Sequence, residues 1–393
     1  MFSLGFDGGV LKSKTCSFAR LIRAGVVMGL LSALAACASG AIRFEPEPLP
    51  ALPSVAVDWS SGLSSSEKVF PFVDSDGIWI GLRSGDVALV DAKTGKTLQT
   101  VLVKASLGTE KRPVLSAVKQ GDHLFVLDVE GRLFVLKKEY DQWQLIWEKD
   151  LKSAISNPLF VSSDRVLIRC DDGRLLAFDW SGESVWQQAP TPTALLLKAS
   201  SQLIQDENDV LETMVGGVVR RLELKTGLVR WEKMFSQPKG TNEVERLTDF
   251  VGTPALTSKG LVCLAAFQGR AGCFDAKTMA PYWDIEFSAP LGLLYWQDMV
   301  FLLNEIGVLS ARKVTTGQDV WQQKQLRYRL IASWAITDQA VVLVDKGGVI
   351  YTLNTKTGEV EKTLKSQEQS RLFSLDNQAV LVISKNAISR IIP

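Results

Sequence analysis

Few residues of this chain can perform acid-base, nucleophilic or metal chemistry. Its 393 residues include a single histidine, His123, and five cysteines. A hydrolytic triad needs imidazole as its general base, and a His-rich metal centre needs several imidazole ligands, so one histidine disfavours both. His123 stands at the start of an apolar, strand-like run, which indicates a structural role.

Cys37 is placed for a different chemistry, which is acylation. Basic residues precede a short apolar run, residues 24–36, and this run ends in Leu34-Ala35-Ala36 before Cys37. The order is similar to that of a bacterial lipoprotein signal, in which the cysteine receives lipid and becomes the new N-terminus. The alternative is an ordinary signal peptide that happens to end at a cysteine. We expect residues 1–36 to be the signal and Cys37 to be the site of lipid attachment.

The residue after the cysteine and the stretch that follows it bear on location. Ala38 stands where an aspartate would favour retention in the inner membrane, so the lipoprotein resemblance implies the outer membrane. Several acyl chains would anchor the protein stably there. Residues 37–53 contain four prolines and no strand or helix pattern, and they predict a flexible tether. The net charge of +1 provides no basic footprint for nucleic acid.

Three cysteines remain: Cys170, Cys263 and Cys273. Cys263 and Cys273 lie on the two arms of one predicted hairpin. If its turn centres on Gln268 they face each other and can form a disulfide, whereas a two-residue Gln268-Gly269 loop puts them out of register. In that second case they are small buried hydrophobic residues. The sequence leaves both alternatives open.

The rest of the chain is a repeat of one unit. A turn glycine between two alternating apolar strands recurs every 38 to 52 residues. Such turns need positive φ, which glycine adopts readily. These glycines are Gly85, Gly131, Gly173, Gly217, Gly269, Gly307 and Gly348.

Two further signals accompany the glycine. An Asp/Asn-x-x-Thr-Gly turn follows it, most plainly at residues 91–95 and 354–358, where the Asp or Asn side chain can accept from turn amides. A tryptophan then marks the next strand and predicts packing between neighbouring units, with a cofactor stack as the alternative. These tryptophans are Trp147, Trp186, Trp231, Trp283 and Trp321.

A period near 40 with four short strands per unit predicts an all-β fold, the β-propeller with repeats of the quinoprotein and WD40 kind. Counting the seven glycine turns and an eighth turn at Lys385-Asn386 gives eight four-stranded antiparallel blades over residues 54–393. The last unit ends where its tryptophan strand should begin, and an unassigned tryptophan strand, residues 55–59, stands at the front. We expect this first strand to complete the last blade and close the ring.

Two stretches interrupt the period, residues 189–209 and 236–252, and both flank the fourth unit. Loops carry function more often than the scaffold does. The second stretch reads Asn-Glu-Val-Glu-Arg-Leu-Thr-Asp over residues 242–249, followed by Thr253-Pro254. Together with the lipoprotein signal and the eight units, it resembles the BamB family of the outer-membrane β-barrel assembly machinery over nearly the whole mature chain.

The resemblance implies a non-enzymatic scaffold without a cofactor, a monomeric subunit of a hetero-complex, facing the periplasm from the outer membrane. In that family the partner is the set of periplasmic POTRA domains of BamA, and the scaffold assists folding and insertion of outer-membrane proteins. The family's binding residues match positions in both irregular stretches. They are Leu195, Leu197, Lys198, Arg246 and Asp249.

This chain departs from the family pattern at two of the positions. Lys198 replaces an arginine and loses its bidentate fork, and Val251 stands in place of a second aspartate. Exposed Leu195 and Leu197 would form the apolar centre of a docking patch, with Lys198 and Asp249 at its rim. The alternative is that the leucines pack under their own loop.

Two other functions fit the repeat. One is a quinone-dependent dehydrogenase on the same fold, although such enzymes use adjacent cysteines and a calcium-binding acidic cluster, and no Cys-Cys pair occurs here. The other is direct capture of unfolded outer-membrane proteins by strand addition at a blade edge.

Overall fold

The computed structural model describes residues 45–66, 68–104, 110–189, 203–237 and 248–393. Within these ranges the chain forms antiparallel β-strands and one short 3₁₀ turn, Val215–Gly217. The strands assemble into eight sheets, seven with four strands and one with five. The predicted all-β, eight-bladed propeller is confirmed.

The strands are numbered β1 to β33 along the chain, and the blades are numbered from the second strand onward. Blades 1 to 3 comprise β2 Phe72–Asp74, β3 Gly77–Gly81, β4 Val87–Val90, β5 Thr97–Val101; β6 Val114–Gln120, β7 His123–Asp128, β8 Arg132–Glu139, β9 Gln142–Asp150; β10 Phe160–Val161, β11 Val166–Arg169, β12 Leu175–Phe178, β13 Ser184–Gln188. Blades 4 to 6 comprise β14 Leu203–Asp206, β15 Asp209–Met214, β16 Val218–Glu223, β17 Val229–Met234; β18 Asp249–Phe250, β19 Ala255–Leu256, β20 Leu261–Phe267, β21 Gly269–Asp275, β22 Pro281–Phe287; β23 Leu293–Trp296, β24 Met299–Leu303, β25 Leu309–Lys313, β26 Asp319–Gln323. Blades 7 and 8 comprise β27 Ile331–Ile336, β28 Ala340–Asp345, β29 Val349–Asn354, β30 Val360–Lys365; β31 Arg371–Ser374, β32 Val380–Ser384, β33 Ala387–Ile392 and β1 Ala56–Ser61.

Ring closure occurs as predicted. Strand β1 pairs antiparallel with β33, from Ala56 opposite Ile392 to Ser61 opposite Ile388, and so supplies the fourth strand of blade 8. The chain's first strand thereby covers an edge of β33 that would otherwise be unpaired.

The hydrophobic core lies between the blades. Eight clusters of buried side chains occur, and each joins one neighbouring pair of blades, including blades 8 and 1. Alternate residues of a strand point to opposite faces of its sheet. In β11, for example, Val166 and Ile168 pack toward blade 2 while Leu167 packs toward blade 4. Both faces of a blade are therefore buried, which explains the continuous apolar runs in the sequence.

The recurring tryptophans fasten six of the eight blades to the next one, as predicted. Six indole Nε1–H groups donate to a backbone carbonyl in the turn between the third and fourth strands of the following blade, at 2.8–3.1 Å. The pairs are Trp59–Ala92, Trp147–Trp180, Trp186–Leu224, Trp231–Lys277, Trp283–Val314 and Trp321–Thr355. We call each of them a tryptophan latch.

The Asp/Asn-x-x-Thr-Gly turns shape the surface that receives each latch. Asp91 Oδ1 accepts from the amides of Lys93 and Thr94 and from the Thr94 hydroxyl. These bonds hold the pKa of Asp91 below its ordinary value. The aspartate therefore serves the turn, as predicted, and the glycine after it leaves room for the indole of the preceding blade.

Two latch positions carry other residues. Gln99 takes the place of tryptophan on β5, and its Oε1 accepts from Trp143 Nε1 of blade 2 at 3.3 Å. Lys362 takes that place on β30. The backbone of the next residue, Thr363, is bonded instead to the N-terminal segment. Thr363 N–H donates to Pro53 O at 2.9 Å, and Val55 N–H donates to Thr363 O at 3.1 Å.

We call residues 46–55 the strap. Besides its bonds to Thr363, Leu49 packs against the core cluster of blades 6 and 7, and Arg329 donates to the backbone carbonyl of Glu47. Residues 46–53 of the predicted tether thus contact blade 7 rather than standing free of it. The strap covers the seam between blades 7 and 8, where a latch is missing.

A pair of glycine substitutions measures how much a latch depends on its glycine. Gly317 has φ +69°, and a Cβ there would lie 2.6 Å from the Trp283 ring, whereas Gly260 has φ +73° and open space around it. We expect Gly260→Ala to cost about 1 kcal/mol from backbone strain alone. Gly317→Ala should cost roughly 1–3 kcal/mol more, because the indole must shift. Urea unfolding of both variants gives the difference, and equal losses would contradict the contact.

Candidate functional site

The two irregular stretches leave the ring on one face. Blades 3 and 4 each have four strands of alternating direction, so the fourth strand ends at the same side as the turn between the second and third strands. We call this side the glycine-turn face. The first insertion, residues 190–202, connects β13 to β14, and the second, residues 238–247, connects β17 to β18. Both therefore emerge on the glycine-turn face, on either side of blade 4.

Most of the predicted binding residues belong to these insertions. Leu195, Leu197, Lys198 and Arg246 lie outside the described residues, as does Cys37. Their assigned roles remain predictions. Asp249 is described, and so are the residues that hold the two ends of the second insertion.

The second insertion starts and ends on a hydrogen-bonded base. At its start, the amides of Phe235 and Ser236 donate to Gly217 O, at 2.9 and 3.2 Å. Gly217 has φ +74°, and a Cβ there would come within 2.4 Å of Ser236 O, so only glycine fits. This close approach explains why the turn of blade 4 ends in Gly216-Gly217.

Asp249 holds the other end of the insertion. Its side chain is only 2% exposed, and Oδ1 accepts from the Gly216 amide at 2.9 Å. The carboxylate thus ties the first residue of β18 to the 3₁₀ turn of blade 4. Its predicted contact with a partner would require that bond to open. No local pattern indicates this bond, because Gly216 and Asp249 are 33 residues apart.

A chain of hydrogen bonds continues this base toward blade 6. Thr248 Oγ1 donates to Gln268 O at 3.1 Å, and Gln268 N–H donates to Ser288 Oγ at 2.8 Å. Ser288 Oγ in turn donates to the carboxylate of Glu305. Linked bonds of this kind stiffen the backbone groups they join. The residue that follows the second insertion, Thr248, is therefore linked by hydrogen bonds to blades 5 and 6.

A groove of about 600 Å³ opens beside this base, between the outer strands of blades 4 and 5. It is lined by residues 234–237, 268–270 and 286–288. Met234 stands at its edge with 58% of its surface exposed, and Arg270 pairs with Asp284 on the adjoining strand. Methionine and arginine are among the residue types enriched at protein–protein interfaces.

A buried ion cluster lies where the first insertion begins. The Glu212 side chain is fully buried, and its carboxylate pairs with Arg169 of blade 3 and accepts from Arg220 Nε and Nη2 at 2.9 and 2.6 Å. Arg169 Nη1 also donates to Gly173 O at 3.0 Å. Arg169 is in register with Leu175, which pairs with Gln188, the last residue of β13. The cluster therefore braces blades 3 and 4 beneath the first insertion.

The hairpin cysteines form a disulfide. The turn centres on Gln268, which has φ +48°, so that Cys263 stands directly opposite Cys273 with the Cα atoms 4.1 Å apart. This is the first of the two alternatives that the sequence left open. Cys170 is buried as a free thiol. His123 pairs with Asp122 and packs against Trp180, in keeping with its predicted structural role.

No described part of the chain presents a metal-binding or membrane-spanning element. Within the described ranges, His, Cys, Asp and Glu side chains nowhere gather in threes at metal-binding distance. Across those same ranges, helices of the length and apolarity needed to cross a bilayer are absent.

Comparisons with known proteins identify relatives of this chain. The family model described as outer membrane protein assembly factor BamB matches residues 83–323. BamB of Bordetella pertussis is 28% identical over 352 residues, which cover 87% of this chain and 88% of the relative. BamB of Burkholderia pseudomallei is 29% identical over 298 residues, 75% of this chain and 76% of the relative.

Solved structures share the fold. The crystal structure of BamB from Moraxella catarrhalis matches with a TM-score of 0.73 at 20% identity, covering 86% of this chain and all of that one. Quinohemoprotein alcohol dehydrogenase from Comamonas testosteroni matches with a TM-score of 0.62 at 11% identity, covering 86% of this chain and 76% of that one. At these identities the likeness extends to the fold alone.

Proposed function

Because this chain belongs to the BamB family of outer membrane protein assembly factors, we propose that it docks on the periplasmic POTRA domains of BamA through the two insertions beside blade 4. As a family member, the chain is a non-enzymatic assembly factor in the assembly of outer-membrane proteins. The family match does not favour the dehydrogenase alternative, since the quinohemoprotein shares only the fold.

One observation carries the proposal more than any other. The two insertions that depart from the repeat emerge on the same face and on either side of the same blade. Their described ends are held by bonds of Gly217 and Asp249 on one side and by the Glu212 cluster on the other. A rigid base lowers the entropy that the loops lose when a partner binds.

The predicted residues take different roles in this proposal. Leu195 and Leu197 form the apolar centre of the contact, and Lys198 and Arg246 provide charges at its rim, where they set orientation and rate of approach more than affinity. Asp249 acts as a positioning residue, because its carboxylate is occupied by the Gly216 amide. Of the two departures from the family pattern, Val251 removes one charge from the interface, while Lys198 keeps its charge and loses the bidentate fork of arginine.

The lipid anchor belongs to the same proposal. Acylated Cys37 would hold the protein on the periplasmic side of the outer membrane. Eight residues lie between Cys37 and Pro46, where the strap begins, and an extended chain of that length reaches about 30 Å. The rim at blade 7, to which the strap is bound, would therefore stay within about 30 Å of the lipid surface.

Co-purification with BamA tests the docking surface. The full acylated chain and its Leu195→Ala/Leu197→Ala variant are isolated from membranes, and the BamA that travels with each is quantified. We expect recovery to fall at least about tenfold, since truncating two central apolar side chains removes more than about 1.4 kcal/mol.

The matched control is Leu98→Ala/Leu102→Ala. These leucines are 55% and 56% exposed on the rim of blade 1, away from the insertions, and their loss should leave BamA recovery unchanged. Equal recovery with both double variants would remove Leu195 and Leu197 from the interface. Crosslinking of nascent outer-membrane protein to this chain in the absence of BamA would support direct capture instead.

A further inference from the structure

The disulfide of blade 5 is sealed from solvent by the next blade. Cys263 on β20 and Cys273 on β21 both have no exposed surface. Their side chains belong to the core cluster between blades 5 and 6, where they meet Leu293, Val300 and Leu302 of blade 6. No reagent larger than a proton can reach the sulfur atoms while blade 6 is seated on blade 5.

Blade 5 is also the blade with an interrupted inner strand. Elsewhere one strand lines the centre of the ring, but in blade 5 this place is shared by two dipeptides, β18 and β19, which pair with different parts of β20. The stretch between them includes Gly252, whose backbone lies against Leu291 and Gly292. The inner side of the β20–β21 hairpin is therefore covered by two separate short strands rather than by one.

We propose that Cys263 and Cys273 are a substrate pair for a periplasmic dithiol-oxidising protein. This oxidant must act on the β20–β21 hairpin before blade 6 closes over it. The disulfide then stabilises the base of the second insertion. The hairpin turn carries Gln268, whose carbonyl accepts from Thr248 and whose amide donates to Ser288. The identity of the oxidant rests on the proposed periplasmic location, whereas the order of events follows from the burial.

The chemistry balances as two successive exchange steps. The thiolate of one cysteine attacks the oxidant's disulfide, forms a mixed disulfide and releases one thiolate of the oxidant. The thiolate of the second cysteine then attacks the mixed disulfide, which closes the Cys263–Cys273 bond and releases the oxidant as a dithiol. Two protons leave the cysteines and two electrons pass to the oxidant.

The third thiol does not compete once the ring has formed. Cys170 lies in the core cluster of blades 2 and 3, and burial raises its pKa to about 12. A thiol with so little thiolate at neutral pH is a poor nucleophile. It therefore serves as an internal reporter, since alkylation of Cys170 signals that the ring is open.

The order of oxidation and closure can be tested with the acylated mature chain. The protein is reduced in concentrated urea, and oxidised glutathione is added either at the start of refolding or after refolding under reducing conditions. Free thiols are counted at intervals by the gel shift of a polyethylene-glycol maleimide. We expect oxidation after refolding to be at least about tenfold slower, because exchange must wait for blade 6 to lift from blade 5.

Each outcome decides the matter. Two outcomes support the proposal. In the first, the reduced chain never buries Cys170, which means that ring closure requires the disulfide. In the second, the reduced chain closes and its cysteines are then oxidised slowly. A reduced chain that closes and oxidises as fast as the unfolded one would overturn it, as would rapid reduction of the native disulfide without urea. The Cys170→Ala variant should oxidise like the native chain. The assay contains neither membrane nor BamA, so its result does not depend on whether the docking proposal is correct.

Discussion

Deleting residues 54–61 from within the chain, with the signal and tether retained, is expected to abolish the cooperative unfolding transition of the ring. Blade 8 then lacks β1, and β33 presents an unpaired edge. The latch between Trp59 and Ala92 of blade 1 also disappears, together with the contact between Arg390 and Asp58. Loss of the buried Trp59 ring alone would cost roughly 3–5 kcal/mol, and the deletion removes more than the ring.

The measurement is urea unfolding followed by near-ultraviolet circular dichroism, with gel filtration to detect association through the open edge. A permuted chain is the matched control. Residues 54–61 are moved to the C-terminus behind a short glycine-serine linker. The linker can be short because Ala56 lies opposite Ile392, so a hairpin turn is enough to connect the two strands. The permuted chain should recover the native transition. A deletion variant that unfolds like the native protein would show that the ring does not depend on this closure.

The architecture is predictable from the sequence because its signals are local and repeated. Gly173, for instance, sits in a turn with φ +90°, and Trp186 follows it 13 residues later, where other units have 14 or 16. The closing strand could be inferred because the last unit lacked a tryptophan strand that residues 55–59 supply. Because the pattern is repeated eight times, exceptions such as Gln99 and Lys362 do not hide it.

The details of the site are less predictable because they depend on contacts distant in sequence. A one-residue difference in turn register decides whether Cys263 faces Cys273. The bond between Asp249 and Gly216 crosses from one blade to another. Glu212 and Arg220 stand in strands whose charges would ordinarily indicate a solvent-facing side, yet both are buried. The two insertions and their candidate binding residues could therefore be predicted from the sequence. The hydrogen bonds of Gly217 and Asp249 and the Glu212 ion cluster, which hold the ends of the insertions, could not.

Glu212→Ala is expected to destabilise the ring by about 3–5 kcal/mol. The substitution leaves the guanidinium groups of Arg169 and Arg220 buried between blades 3 and 4 without their shared carboxylate, and an unpaired buried charge is costly. A marked fall of the urea midpoint, with the slope of the transition unchanged, would report this loss.

Glu232→Ala is the matched control, because it removes the other carboxylate near Arg220. That group is 50% exposed and lies 3.9 Å from Arg220 Nη1, so its loss should cost less than about 1 kcal/mol. Replacing Arg169, Arg220 and Glu212 together by methionine should recover much of the stability lost in Glu212→Ala, since it removes the unpaired charges as well. If Glu212→Ala were as mild as Glu232→Ala, the buried cluster would not be what braces blades 3 and 4. The first insertion would then depend on the apolar packing of Leu167, Leu222 and Leu224 for its support.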